Sequence, residues 1–244
     1  MEESSSRVLL VVGGSSDIGV ALIKEVSVRY DTILIHYNHL RSEIEELIRV
    51  DSKYIGIQAD LSVEDGSDEL VEKVMSTGYI PTDIVHLPAI PYKQKKFHKI
   101  SWSQIQAELN VSLKSAIVVM QTFLPYMSKE HFGRIVIMLS MVINGMPPKH
   151  NSDYVIIKES LYGLVKACAV EYADQGITIN GISPALVKTK FVDGMHDYIV
   201  EQNAKQSPTG ENLQVGDVIP TIQFLLSDGA KSINGQNILI TCGR

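Results

Sequence analysis

Two cysteines in 244 residues, Cys168 and Cys242, are too few for a disulfide framework, and no Cys/His spacing of a structural metal site occurs. Long apolar runs are also missing. The run that opens at Val8 stops at Gly13, and no stretch approaches the ~20 residues that cross a membrane. Positive charge is in deficit: 22 Lys and Arg against 28 Asp and Glu leave a net charge of -6, which argues against a nucleic-acid partner. The one basic cluster, Lys93 to Lys96, is short and reads as a solvated loop. The opening MEESSSRVLLVV carries acids where a secretion signal carries bases, so a cytoplasmic protein with no membrane contact is expected.

What is present is the balance of a packed chain, 45% hydrophobic and 20% charged, long enough to bury an α/β core as one domain over residues 1–244. Short β-branched runs alternate with longer amphipathic stretches, the sequence form of repeated βαβ units. Strands are expected at Val8–Val12, Thr32–His36, Tyr54–Ala59, Asp83–Leu87, Arg134–Leu139, Thr178–Ser183 and Asn237–Thr241. Helices are expected at Ile18–Tyr30, Ser42–Val50, Glu64–Ser76, Ser101–Met127, Asp153–Ala173 and Gly216–Leu226, with Pro220 in the first turn of the last. The expected fold is a doubly wound, Rossmann-like parallel sheet of seven strands with helices on both faces. Lys188 to Leu213 shows no clear periodicity and is expected to be a loop covering the substrate.

The first strand runs into VVGGSSDIG, Val11 to Gly19, and a helix follows. Such a turn lets backbone amides approach a diphosphate while the helix N-terminus favours its charge. Gly13 and Gly19 allow the close approach, and Ser15 and Ser16 can donate to phosphate oxygens. Asp17, between the glycines, would be repelled by a diphosphate and is expected to cap the helix facing away from it.

A second constellation lies at Tyr154-Val-Ile-Ile-Lys158, near the start of a predicted helix, with Ser140 at the end of the strand before it. Four residues make about one helical turn, so phenol and ammonium project from one face. A free tyrosine has a pKa of about 10 and needs about 4 kcal/mol of help to act as a base at neutral pH. A cation ~4 Å away at an effective dielectric of ~20 supplies about that much. Ser140 can donate to a substrate oxygen on which charge develops.

These residues, in this order, resemble the Ser…Tyr-x-x-x-Lys arrangement of the short-chain dehydrogenase/reductase family. The turn resembles that family's TGxxxGxG pattern, with Val12 for its Thr and Asp17 for its middle Gly. The tail FLLSD…INGQNILITCGR is similar to the 3-oxoacyl-carrier-protein reductase branch. The resemblance implies an NAD(P)-dependent ketoreductase in which Ser140 positions the reacting oxygen, Tyr154 exchanges its proton and Lys158 also holds ribose hydroxyls. It places Ile18 with the glycine turn against the dinucleotide, Asp60 and Leu61 near the adenine, and Pro184, Val187 and Thr189 over the nicotinamide. Pro88 and Ala89 fall where the family has a polar Asn-Asn-Ala-Gly cradle, here Leu87-Pro88-Ala89-Ile90. Ser112 falls where the family's helical Asn holds a relay water; an ordinary helix serine bonded to its own backbone is the other reading.

Tyr37 stands where NAD-specific members carry an acid, and Asn38 beside it can bond a phosphate, so the cofactor reading leans to NADP(H) with NAD still open. Arg41 and His39 are near, Arg41 reading first as a solvated helix-start residue. A carbonyl or alcohol is the implied substrate, with a carrier-bound 3-oxoacyl thioester or a secondary-metabolite ketone as its forms. A homo-oligomer, tetramer or dimer, is implied through the two long helices. From another class, a nucleotide-sensing or scaffolding protein that kept the fold and lost efficient chemistry stays open.

Overall fold

Every residue of the first strand, β1 (Val8–Val12), is apolar and buried, as a strand covered on both faces requires. Side chains alternate across it. Val8, Leu10 and Val12 enter one core, while Leu9 and Val11 enter the other. The computed structural model describes residues 6–91 and 93–243, and within them seven strands form one parallel sheet.

The remaining strands are β2 (Thr32–Tyr37), β3 (Tyr54–Gln58), β4 (Asp83–His86), β5 (Gly133–Met138), β6 (Ile177–Pro184) and β7 (Asn237–Ile240). Their order is β3-β2-β1-β4-β5-β6-β7. The chain works outward from β1 to β3, then crosses back to start again at β4. That reversal separates the loops leaving β1 and β4 and opens a crevice at the carboxyl edge of the sheet. Helices α1 (Asp17–Val26), α2 (Ser42–Val50) and α8 (Val215–Leu225) cover one face. The other is covered by α3 (Gly66–Ser76), α5 (Ser115–Lys129) and α6 (Ser152–Glu171).

Three expectations are corrected. The single helix Ser101–Met127 is interrupted: α4 (Trp102–Glu108) passes into a π-helical turn, Leu109–Lys114, before α5 begins. The Ser115 hydroxyl, donating to the Val111 carbonyl at 2.6 Å, ties the turn to α5. Residues 188–213 are not one loop, because α7 (Asp197–Gln206) lies among them. Its DYIVEQNAKQ sequence buries no residue, so it has no apolar stripe for a periodicity reading to detect. Pro220 sits in the second turn of α8, which a reciprocal cap between Gln214 and Asp217 starts at Val215; from the expected start at Gly216 it would also be past the first turn. Both Pro220 and Gly216, whose carbonyl loses its partner, are exposed, so water can replace the missing bond.

At the opposite edge of the sheet the fold is pinned by a charge pair. Asp83, fully buried, takes two bonds from Arg7, at 2.5 and 3.3 Å, and a third from the Thr82 hydroxyl at 2.7 Å. Arg7 also donates to the Leu226 carbonyl at 2.9 Å, tying β1, β4 and the end of α8 together. Asp83→Ala is expected to lower unfolding free energy by about 3 kcal/mol, the low end for a broken buried pair because Arg7 is partly solvated. Urea denaturation measures it, and a loss under 1 kcal/mol would show the pair to be dispensable.

Candidate active site

Because all seven strands are parallel, their carboxyl ends and the loops that leave them lie along one edge. Gly13, Ser15, Ser16, Ile18 and Gly19 form the β1–α1 turn; Tyr37 ends β2 and Asn38 follows it. Asp60 and Leu61 follow β3, Pro88 and Ala89 follow β4, and Ser140 follows β5. Pro184 ends β6, with Val187 and Thr189 just beyond. The fold thus brings every strand-end residue singled out in the sequence to the same edge. Ser112 comes from the π-helical turn, and Tyr154 and Lys158 from the first turns of α6.

The turn after β1 is knitted to β2 by His36. Gly13, at φ +78°, directs its N–H to His36 Nδ1 at 3.0 Å, and the Gly14 N–H bonds the His36 carbonyl at 2.8 Å. With Nδ1 accepting, the ring proton resides on Nε2, which donates to the Ala59 carbonyl at 3.1 Å. The imidazole is neutral, its pKa pulled down to about 4 by burial. Ser16, not Asp17, caps α1: its hydroxyl accepts from the Gly19 N–H at 3.0 Å and keeps its own proton to donate. A side chain at Gly19 would stand 2.6 Å from the Gly14 carbonyl oxygen, so the turn closes only with glycine there. Asp17 and Ile18, the first two residues of the helix, have N–H groups with no intrahelical acceptor. Together with the Ser15 and Ser16 hydroxyls they form a donor set whose chemistry suits a diphosphate.

Asp17 turns sideways. One carboxylate oxygen takes Arg41 at 2.6 Å, and the other accepts the Lys190 backbone N–H at 2.7 Å. These two partners hold the carboxyl below the ordinary aspartate range despite the opposing effect of partial burial. Arg41 is not a solvated helix-start residue: it also bonds Glu43 at 2.6 Å and lies 3.4 Å from the Ser15 carbonyl. Asp60 folds back on its own loop, accepting from the Ser62 N–H at 2.9 Å and hydroxyl at 2.7 Å.

Lys158 is 1% exposed, and its ammonium donates to the Met138 carbonyl at 2.7 Å. Met138 ends β5, so the bond fixes α6 to the strand that delivers Ser140 two residues later. Burial lowers the Lys158 pKa to about 8, with Glu108 opposing the fall. The same ammonium stands 5.6 Å from the centre of the Tyr154 ring, as one-turn spacing requires. Phe191 packs on the Tyr154 ring at 6.0 Å between centroids. The Ser140 oxygen accepts weakly from the Val142 N–H at 3.4 Å.

Three further groups, His36, His86 and Glu108, were not legible as site residues. His86, the last residue of β4, lies next to Ser115, whose hydroxyl proton goes to Val111, so His86 Nε2 donates to it at 2.8 Å. Burial first, then the charge of Lys158, pulls His86 down to about 3. Glu108, half-buried where α4 gives way to the π turn, is pushed up to about 7 by burial and then by Asp153. A histidine at the last or next-to-last position of a hydrophobic strand is the one sequence signal that marks His86 and His36. Ser112 bonds neither its own turn nor a charged group: its hydroxyl donates to the Pro88 carbonyl at 3.1 Å.

A glycine turn with helix-terminal donors and a tyrosine above a buried lysine thus lie on elements that meet at one edge of the sheet, the arrangement expected of a dinucleotide-dependent oxidoreductase. The family model described as enoyl-(acyl carrier protein) reductase matches residues 14–244, and the chain belongs to the short-chain dehydrogenase/reductase family of NAD(P)-dependent oxidoreductases. It is 27% identical over 240 residues to the 3-oxoacyl-[acyl-carrier-protein] reductase FabG of Staphylococcus aureus strain N315, covering 96% of each chain. The 3-oxoacyl-[acyl-carrier protein] reductase structure from Brucella melitensis shares the fold with TM-score 0.86 at 22% identity, covering 97% of this chain and 90% of that one. The structure titled ElxO with NADP bound shares it with TM-score 0.83 at 24% identity, covering 98% of each.

Both buried histidines have folded-state pKa values below the ordinary 6.5. The unfolded chain therefore binds more protons, so their contribution is complete above pH ~6.5 and lost as pH falls toward 4 and then 3. Stability is expected to fall by about 1.4 kcal/mol per pH unit for each histidine in that window. Urea titrations from pH 7 to 4 test this, and the slope should lessen in His36→Gln.

Proposed function

We propose that this protein is a ketoreductase that moves a proton through Tyr154 while NADP(H) exchanges a hydride with a carbonyl or alcohol carbon. The observation that carries the proposal is the Lys158 ammonium, buried, anchored on Met138 and held 5.6 Å from the Tyr154 ring centre. A positive charge held beside the ring favours the phenolate over the phenol, the direction of help that a proton-moving tyrosine needs. In the reduction direction Tyr154 donates its proton to the developing alkoxide, and Ser140 donates a hydrogen bond to the same oxygen. Bound dinucleotide would supply or accept the hydride.

The residues that would hold the dinucleotide are the Ser15 and Ser16 hydroxyls, the Ile18 N–H, Gly13 and Gly19, with Tyr37, Asn38, Asp60 and Leu61 toward the adenosine. Pro88, Ala89, Pro184, Val187 and Thr189 line the nicotinamide end, where Lys158 also meets the ribose. Ser112 acts by fixing the Pro88 loop, and its oxygen still has lone pairs for a relay water. The absence of an acid at Tyr37 supports NADP(H). The two carboxylates already on Arg41 favour NAD(H) as the second choice, since a 2′-phosphate must compete with them. Residues 188–213 serve as the substrate lid of a one-domain enzyme. The 3-oxoacyl thioester is the first substrate to try, given FabG among the relatives, and a free ketone the second.

No helix among the described residues is long and apolar enough to cross a membrane, which is compatible with the proposed cytoplasmic setting. Self-association through α5 and α6 is part of the proposal. A sensing or scaffolding protein that lost efficient chemistry is the second reading, supported by one observation, the Asp17 carboxylate in the nucleotide turn, which weakens the grip on a diphosphate. Titrating NADPH and NADH by fluorescence, then following absorbance with a panel of ketones and 3-oxoacyl thioesters, separates the readings. Binding without oxidation of NADPH by any ketone would establish the sensor.

Tyr154→Phe is expected to fold and bind nucleotide normally while losing turnover at least about a hundredfold, the low end for a positioned proton donor. The pH dependence follows from Lys158. Its folded-state pKa is depressed, so the supporting charge is present below about 8 and disappears as pH rises through that value. Accordingly, kcat/KM for ketone reduction should decline above pH ~8. A profile flat to pH 10 would remove Lys158 as the charge that supports Tyr154.

A further inference from the structure

The carboxylate of Asp17 joins two segments that are 173 residues apart in the chain. It belongs to the nucleotide turn, yet one of its oxygens holds the N–H of Lys190, the first residue of a 3₁₀ turn, Lys190–Val192. The base of residues 188–213 is closed separately, by the Val187/Leu213 bridge with Lys188 N–H on the Leu213 carbonyl and Leu213 N–H on that of Leu186. Asp17 therefore adds an attachment on the nucleotide side, at the point where this segment leaves the sheet. Next to Lys190 is Phe191, whose ring lies against Tyr154. Arg41 bonds the other oxygen of the same carboxylate and offsets its charge, so the N–H bond, though solvent-exposed, is short and charge-assisted.

We propose that Asp17 is a positioning residue that latches the lid to the nucleotide turn and, through Lys190 and Phe191, sets the Tyr154 ring. The reading of residues 188–213 as the lid and of the turn as a dinucleotide cradle underlies this. The latch has two opposite consequences. Its closure orders the wall against which Tyr154 works, which favours turnover. Its charge stands beside the donors that meet the diphosphate, which disfavours nucleotide. Glycine or another uncharged residue at this position would leave the cradle without the repulsion but also without the tether.

Two substitutions remove the latch from opposite ends. Asp17→Ala removes the acceptor. Lys190→Pro removes the donor without disturbing the turn: Lys190 is its first residue, where proline fits, and Thr189 before it is already extended at φ -147°, ψ 165°. Hydrogen exchange on the nucleotide-free full chain is expected to run about tenfold faster at the amides of residues 192–200 in either variant. The double variant should be no faster than the single ones, because both break the same bond. Unchanged exchange in both variants, or effects that multiply, overturns the latch.

In steady-state assays Asp17→Ala should lower kcat several-fold while also lowering KM for NADPH, a split that general loss of structure does not produce. A lower kcat with KM unchanged overturns the charge half of the proposal. The exchange arm needs no nucleotide and no substrate. Faster exchange in a protein that oxidises NADPH with no ketone would uphold the tether and defeat the ketoreductase reading, so the two failures are told apart.

Discussion

A lysine buried to 1% exposure must have its charge compensated, and here the Met138 carbonyl provides the direct bond. That single contact fixes the geometry around it. It holds the beginning of α6 against the end of β5, so the one-turn spacing from Lys158 back to Tyr154 sets the phenol beside the strand that carries Ser140. Burial costs the ammonium part of its basicity, leaving a pKa of about 8, and a charge that is still present at neutral pH but not tightly held is what a proton-moving tyrosine needs as a neighbour. His86, also near this charge, stays neutral and spends its ring proton on Ser115. Two buried cations do not compete in the same volume.

The rest of the fold can be understood as the means of bringing seven strand ends to that point. Parallel strands put all carboxyl ends on one edge, and the reversal of strand order between β1 and β4 spreads the loops there. Neutral, fully hydrogen-bonded His36 stiffens the first of these loops by taking the Gly13 N–H and passing its own proton to Ala59. The π-helical turn at Leu109–Lys114 does similar service across the crevice, presenting Ser112 to the Pro88 carbonyl. An α-helix continued without the extra residue would rotate Ser112 by about 100° away from that carbonyl. The apolar segment Leu87 to Ile90 is thereby held by a backbone bond where family members have polar side chains.

The sheet and the Tyr154/Lys158 pair were legible because both depend on local periodicity: buried β-branched runs for the strands, and one helical turn for the pair. The break inside Ser101–Met127 was not, because a π turn leaves apolar spacing nearly intact and depends on hydroxyl-to-carbonyl bonds such as Ser115 to Val111. Helix α7 escaped for the opposite reason, its residues facing water on most sides. Pro220 was misplaced because it already stands four residues beyond the expected start at Gly216, and the Gln214/Asp217 cap sets the start one residue earlier still. Long-range partners were the largest gap. Nothing in HYNHLRS says that Arg41 reaches Asp17, and nothing near Asp17 says that it holds Lys190.

Asp17 shows how a local rule can fail for a physical reason. Judged alone, an acid in a diphosphate cradle is a defect, and an acid at the start of a helix is a cap. It is neither, because Ser16 supplies the cap and Arg41 supplies the counter-charge. With those two needs met by neighbours, the carboxylate is free to bond a backbone donor on a segment distant in sequence. The substitution that sets this chain apart from its family's glycine pattern therefore carries a cost at the nucleotide and a gain at the substrate cover. Which of the two governs turnover depends on whether closing the cover or admitting the nucleotide is slower, and that is a property of the bond between residues 17 and 190 rather than of the phenol itself.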